Sequence, residues 1–86
     1  MENMDKVVEE IGTGPLCMNE LLLEEVTKTL LDKGYAAAEV LVSQRAGADE
    51  QDEIARALTI IQKYDLSQEA GAKVIQNLNV IKSGKW

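Results

Sequence analysis

The chain has 86 residues, of which 45% are hydrophobic and 28% charged, with a formal net charge of −6. This composition is typical of one folded domain, here expected over residues 1–86, and it excludes long disorder. A domain of this size hides only about 60–65% of its unfolded surface, so dimerisation would be a natural supplement to its stability. The absence of histidine removes the commonest general base and zinc ligand, and the single cysteine excludes an internal disulfide framework.

Charge divides the chain into two opposed halves. Residues 1–53 contain thirteen acidic and four basic side chains, a net of −9, whereas residues 54–86 contain two acidic and five basic side chains, a net of +3. A negative chain repels nucleic acid phosphates overall, although a local basic face can still bind them. The sequence has no signal-peptide pattern and no apolar run long enough to span a membrane, so we expect a cytoplasmic protein.

The first predicted helix covers residues 2–11 and ends at Gly12, because Met4 and Val7 begin an apolar pattern at helical spacing. Turn residues follow, with glycines free to take positive φ and Pro15 lacking an N–H. The Gly-x-Gly in this turn is a weak phosphate-binding signal, because no strand precedes it and the Lys-Ser/Thr of a P-loop is missing.

A second helix is predicted over Glu20–Lys33, with Asn19 as its N-cap and Gly34 just beyond its end. Tyr35 is expected to fold its ring back on that helix end. A third helix follows over residues 36–46, where a run of alanines permits close approach to a neighbour.

The cleanest apolar stripe lies in residues 49–64, with Ile54, Leu58 and Ile61 at helical spacing. We predict that this segment is a central helix, with two helices before it and one after it closing on its inner face. Asp49 is the candidate N-cap, and the acidic residues after it suit the positive end of the helix dipole.

Ser67 or Asp65 caps a predicted last helix, in which Gly71 is an interior residue. Glycine costs about 1 kcal/mol relative to alanine inside a helix, so either another helix crosses closely there or the helix starts loosely. Residues 83–86 form a predicted tail. The inner face of this helix is marked by Ala70, Val74, Leu78 and Ile81.

Identities thirty residues apart hint at an internal repeat of one helical hairpin. The pairs are Thr29 with Thr59, Lys33 with Lys63 and Glu39 with Glu69. The predicted fold is therefore all-α: a small orthogonal bundle of four to five short helices, made of two αα-hairpins and an N-terminal helix, with no β-sheet.

One functional hypothesis is a DNA-reading helix-turn-helix. Residues 42–48 resemble the turn of that motif, with small residues and a glycine before a second apolar helix. Arg45, Arg56 and Lys63 would supply its basic face. However, the match needs one inserted residue, and the four acidic residues within 49–53 would repel the duplex where the recognition helix begins.

Catalytic and metal-binding hypotheses are weaker still. Asp49, Asp52 and Glu53 share a helix face and could hold a hard cation. However, acidic side chains are also favourable at the positive end of a helix dipole, which explains these residues without a metal. Cys17 precedes a helix, yet it has no histidine partner and glutamates lie nearby, so we expect a buried, unreactive side chain. We predict no enzyme, no cofactor and no metal.

The interpretation that we favour is a small acidic regulatory or adaptor protein that binds other proteins and itself, as a homodimer. Leu21 begins three consecutive leucines, one of which must point towards water or another chain. An alternative is an acidic decoy, in which residues 1–53 imitate nucleic acid charge and occupy a nucleic-acid-binding protein. The candidate partner-binding residues are Leu21, Glu24, Glu25, Asp49, Glu50, Glu53 and Trp86.

Overall fold

The computed structural model of the protein describes residues 3–14 and 18–86. In this part the chain forms α-helices and no strand, so the predicted all-α fold is confirmed. The predicted helix start at Glu2, the turn residue Pro15 and the thiol of Cys17 lie outside the described residues. The helices are α1 (Met4–Ile11), α2 (Glu20–Lys33), α3 (Tyr35–Arg45), α4 (Ala48–Lys63), α5 (Gln68–Gln76) and α6 (Leu78–Lys82).

An aliphatic core fills the space between the helices. The predicted stripe of α4 is its buried face, since Ile54, Leu58 and Ile61 are fully buried and Ala57 nearly so. The other helices also bury one face each, at the same helical spacing. Because the chain has only two tyrosines, one tryptophan and no phenylalanine, the buried side chains are aliphatic. Their buried residues include Val7 and Ile11 in α1, Val26 and Leu30 in α2, Ala38 and Val42 in α3, Val74 and Ile75 in α5, and Ile81 in α6.

The centre of the bundle is shared between two helices. α4 contacts α1, α3 and α5, which agrees with the prediction of two earlier helices and one later helix closing on it. The most extensive contact, however, is that of α2 with α5, and α2 also lies along α3. α2 therefore has its inner face covered by α3 and α5, while its opposite face is left outward.

Side-chain caps start two of the helices as predicted. The Asn19 side chain accepts from the backbone N–H of Leu21 at 2.9 Å and of Leu22 at 3.3 Å, and Ser67 Oγ accepts from Ala70 at 3.2 Å. The predicted cap at Asp49 is wrong. α4 begins one residue earlier, at Ala48 after Gly47, so the Asp49 carboxylate lies within the first turn and acts through the helix dipole alone.

Gly34 joins α2 to α3 in a single residue. It takes φ of +94°, a backbone conformation that disfavours side chains, and its N–H donates to Leu30 O at 3.0 Å. Tyr35 is consequently the first residue of α3, and the contact of its ring with the end of α2 stays a prediction. The Tyr35 hydroxyl donates to the carbonyl oxygens of Leu66 at 3.1 Å and Ser67 at 3.2 Å, at the start of α5.

The predicted last helix is divided in two at Asn77, which is why the described chain has six helices rather than four or five. The Asn77 side chain donates to Lys73 O at 2.8 Å, and its φ of −104° and ψ of +17° depart from helical values. Asparagine competes for backbone hydrogen bonds in this way, which makes it a poor residue for a helix interior. α6 ends at Lys82, and Gly84 two residues later takes a φ of +79°, which turns the chain so that the Lys85 N–H donates to Val80 O at 3.1 Å.

Gly71 lies at the closest approach between α5 and its neighbours. A β-carbon placed on Gly71 would stand 2.9 Å from Ile61 Cγ2 and would collide with the Tyr35 hydroxyl. The first of the two sequence-based explanations for this glycine, a close crossing, is therefore confirmed. Ile61 is fully buried and the Tyr35 hydroxyl is held by its carbonyl partners, so neither group has room to withdraw.

We expect Gly71→Ala to destabilise the protein by about 1–3 kcal/mol, because overpacking outweighs the roughly 1 kcal/mol by which alanine favours a helix. Urea denaturation of the variant and the parent measures the difference. Adding Tyr35→Phe removes the atom that the methyl group would strike first, so the double variant should recover part of the loss. An unchanged or raised stability of Gly71→Ala alone would show that α5 does not lie this close to α4.

Candidate partner-binding surface

Large apolar side chains remain exposed at a few positions, and two of them, Leu31 and Val80, lie at one groove. Leu21 is 74% exposed and Leu31 is 49% exposed, both on α2, while Val80 on α6 is 40% exposed. Leu31 and Val80 line the same groove. Val40 on α3 and Trp86 beyond α6 are also about half exposed, but they do not line that groove.

The three consecutive leucines of α2 point in three directions because each residue turns the helix by about 100°. Leu23 is buried in the core, Leu22 is half-buried, and Leu21 is the one that faces outward. Its role in binding stays a prediction.

A groove of about 560 Å³ runs between α2 and the α5–α6 segment. Its apolar wall includes Leu23 and Leu31, and Thr27 satisfies its own hydroxyl by donating to Leu23 O at 2.7 Å. The opposite wall carries Val80 and the amide side chains of Gln76 and Asn77. Charged side chains stand only at the α2 rim: Glu20, Glu24 and Lys28. The groove is thus an apolar slot with an acidic and amide border.

Two of the candidate acidic residues form ion pairs on the outer surface. Glu24 pairs with Lys28 one turn later at 3.4 Å, and Glu25 pairs with Arg45 of α3 at 3.3 Å. All four side chains are about half exposed or more, and such pairs are worth no more than about 1 kcal/mol. These carboxylates are therefore available to exchange partners on binding.

Glu50 and Glu53 are both engaged within the chain, and their role in partner binding stays a prediction. Glu50 Oε2 accepts from the Asn19 N–H at 2.8 Å and so fixes the start of α2. Glu53 Oε2 lies 2.6 Å from Lys82 Nζ, whose side chain is only 7% exposed. Their contact is an ion pair, because that oxygen accepts no well-oriented hydrogen bond from the described residues.

Met18 and Gly14, which precede α2, form hydrogen bonds with α6 that the sequence did not predict. Asn79 Oδ1 accepts from the Met18 N–H at 2.8 Å, and Asn79 Nδ2 donates to the Met18 C=O at 2.8 Å. The Gly14 N–H donates to Lys82 O at 3.1 Å. Nothing in local spacing distinguishes Asn79 from the other asparagines, since its partners are distant along the chain.

We expect Asn79→Ala to lower the free energy of unfolding by about 2–3 kcal/mol, because it leaves both backbone groups of the buried Met18 without these partners. Asn77→Ala is the matched control: it removes a side-chain bond to a carbonyl only four residues earlier and should change stability by less than about 0.5 kcal/mol. Thermal unfolding of both variants tests the difference. Equal losses would mean that the connection does not depend on Asn79.

The basic residues of the helix-turn-helix hypothesis are engaged within the chain. The Arg56 guanidinium donates to the Ile11 and Glu10 carbonyl oxygens at 3.0 and 2.7 Å, which closes the negative end of the α1 dipole. Lys63 lies 2.9 Å from Glu10 Oε1, and Arg45 pairs with Glu25. Arg56 and Lys63 thus both join α4 to α1, while Arg45 joins α3 to α2.

The Glu10–Lys63 pair should make the stability of the protein depend on pH in the acid range. The hydrogen bond from Lys63 lowers the pKa of the Glu10 carboxyl below its ordinary value of 4.5, and the same bond raises the pKa of Lys63. Because the folded-state pKa of Glu10 is the lower one, the stabilisation is full above about 4.5 and is lost as pH falls through the folded value.

Lys63→Gln should raise the pKa of Glu10 back towards 4.5, as followed by an NMR titration of its side-chain carboxyl. Lys28→Gln, which removes a lysine paired with Glu24 instead, should leave that titration unchanged. A Glu10 titration that ignores Lys63→Gln would contradict the pairing.

The turn between α3 and α4 differs from that of a DNA-reading motif. Only Ala46 and Gly47 separate the two helices, against the roughly three or four residues usual for a helix-turn-helix. Asp49 and Asp52 are exposed in the first turns of α4, where a recognition helix would meet phosphates.

Among residues 3–14 and 18–86, no three acidic, cysteine or histidine side chains are grouped in a way that could hold a metal ion. The suggested set of Asp49, Asp52 and Glu53 does not converge, because Glu53 turns to Lys82. In the same described ranges, no helix combines the length and the apolar character needed to cross a bilayer.

Comparisons with protein-family models, with curated proteins and with solved structures find no match to this chain.

Proposed function

We propose that this chain is a small, acidic, non-enzymatic regulatory or adaptor protein that binds proteins, including a second copy of itself, through the outer face of α2. The observation that carries the proposal is the 74% exposure of Leu21 on α2, the helix that also carries the exposed Leu31 and one wall of the apolar groove. A cytoplasmic setting is part of the proposal, because the chain has one cysteine and no possible internal disulfide.

The energetic reason is the hydrophobic effect. Removing a leucine side chain from water contributes about 1.5–3 kcal/mol when burial is complete. Leu21, Leu31 and Val80 each retain a large part of that free energy, because much of their surface still faces solvent. A partner that covers them together would gain several kcal/mol, which offsets part of the cost of association.

The internal use of charge favours a protein partner over DNA or a decoy role. Arg45, Arg56 and Lys63 are engaged by Glu25, by the end of α1 and by Glu10. The same contacts neutralise part of the acidic segment that a nucleic acid mimic would need to present. Neither alternative has a structural observation in its favour that matches the exposed α2 face.

Replacing Leu21 with Glu should abolish or strongly weaken self-association, because it puts a charge on the apolar contact. Val40→Glu is the matched control: Val40 is 54% exposed, but on α3 and away from the groove. Sedimentation velocity over a range of concentrations compares both variants with the parent chain, and circular dichroism checks that each remains helical.

We expect Val40→Glu to sediment like the parent and Leu21→Glu to sediment as a monomer. A parent chain that is monomeric at every concentration would contradict the self-association part of the proposal. Equal behaviour of Leu21→Glu and the parent dimer would place the interface elsewhere.

A further inference from the structure

The outer face of α2 has the residue spacing of a two-helix seam. Leu21, Glu24, Lys28 and Leu31 follow one another at intervals of three, four and three residues. These intervals are those of the a and d positions of a heptad pattern, which line the contact between paired helices. All four side chains are exposed, so no other part of the described chain covers this seam.

From this spacing we infer that two copies of the chain pair through antiparallel α2 helices, with Leu21 of each copy against Leu31 of the other and Glu24 against Lys28. The inference rests on the proposed self-association and names its geometry. In antiparallel helix pairs an a residue of one helix meets a d residue of its partner, and the contacts of Leu21 with Leu31 and of Glu24 with Lys28 are both of that type.

The seam is symmetric about the level of Val26. Glu24 and Lys28 lie two residues to either side of that level, while Leu21 and Leu31 lie five residues to either side. A two-fold axis through this point therefore brings leucine onto leucine at both ends and opposite charges together in the middle. The same patch meets itself in an isologous contact, which is the commonest symmetry of protein dimers.

A parallel arrangement lacks this complementarity. It would place Glu24 against Glu24 and Lys28 against Lys28, and like charges opposed across a helix pair are unfavourable. Within one chain Glu24 and Lys28 are already 3.4 Å apart with side chains 60% and 76% exposed. Pairing would convert this exposed bond into a network of four charges that is shared between the two helices.

The groove beside the seam accepts the partner's leucine. Leu31 and Val80 stand on its two walls, and Leu21 of the second copy would come to rest against Leu31 at this place. At the outer edge, Glu20 would lie near Asp32 of the second copy, a contact between like charges. This repulsion and the short seam make the dimer weak and reversible, at the small end of the range of protein interfaces.

Disulfide trapping tests the pairing in the full chain. Leu21→Cys and Leu31→Cys are made separately in a Cys17→Ser background, so that each chain has one thiol. Each variant is oxidised mildly with glutathione disulfide, first alone and then as an equal mixture. Non-reducing gels and mass spectrometry identify the linked residues, and circular dichroism confirms that the exposed substitutions leave the chain folded.

We expect a disulfide dimer in the mixture that joins position 21 to position 31, and at least about tenfold less dimer from either variant alone. Self-linkage of Leu21→Cys would overturn the antiparallel pairing in favour of a parallel one. Absence of any linkage, while the parent chain sediments as a dimer, would overturn the α2 seam and leave self-association standing. A parent chain that is always monomeric would overturn both.

Charge reversal supplies an independent readout of the register. Glu24→Lys should weaken self-association about tenfold, because it faces Lys28 of the second copy across both halves of the dimer. Glu24→Lys with Lys28→Glu restores opposite charges and should return the dissociation constant to within about threefold of the parent. If the double variant remains as weak as the single one, the charge register is wrong.

Discussion

The close approach at Gly71 governs how the bundle is assembled. Because residue 71 has no side chain, α5 can lie against Ile61 of α4 while the Tyr35 hydroxyl reaches the carbonyl groups at the start of α5. α5 in turn makes the most extensive contact with α2. The inner face of α2 is thereby committed to the core, and its other face, which begins with Leu21, is left without a covering helix in the described chain.

The opposed charges of the two halves are used within one molecule. Lys82 and Lys63 come from the basic half and pair with Glu53 and Glu10 of the acidic half. Arg56 adds a bond to the end of α1 from the same side. These contacts join α1 and α6 to α4, so two of the acidic side chains that suggest a nucleic acid mimic serve to close the fold. The Glu24–Lys28 pair is different, because it remains exposed on α2.

Local features of the sequence were sufficient for the helices, their buried faces and two of their caps. Periodicity located the stripe of α4, and the caps at Asn19 and Ser67 are formed by the residues predicted. The break at Asn77 and the earlier start of α4 are local features that the predictions missed, whereas the other misses depend on distant partners. Asn79 meets Met18 sixty-one residues away, and a buried lysine such as Lys82 is recognisable only once Glu53 faces it. Of the proposed binding surface, the sequence could predict the exposure of Leu21 from the run of three leucines. The groove could not be predicted, because it depends on how α2 packs against α5.

The central claim is that the molecule self-associates through the uncovered face of α2. The most direct test compares the chemical shifts of the backbone amides at low and at high protein concentration. We predict concentration-dependent shifts centred on Leu21, Glu24, Lys28 and Leu31, with a smaller response at Val80 across the groove. Residues on α3 such as Val40 should stay constant. Shifts centred on the start of α4, around Asp49, or no shifts at all, would contradict this account of the surface.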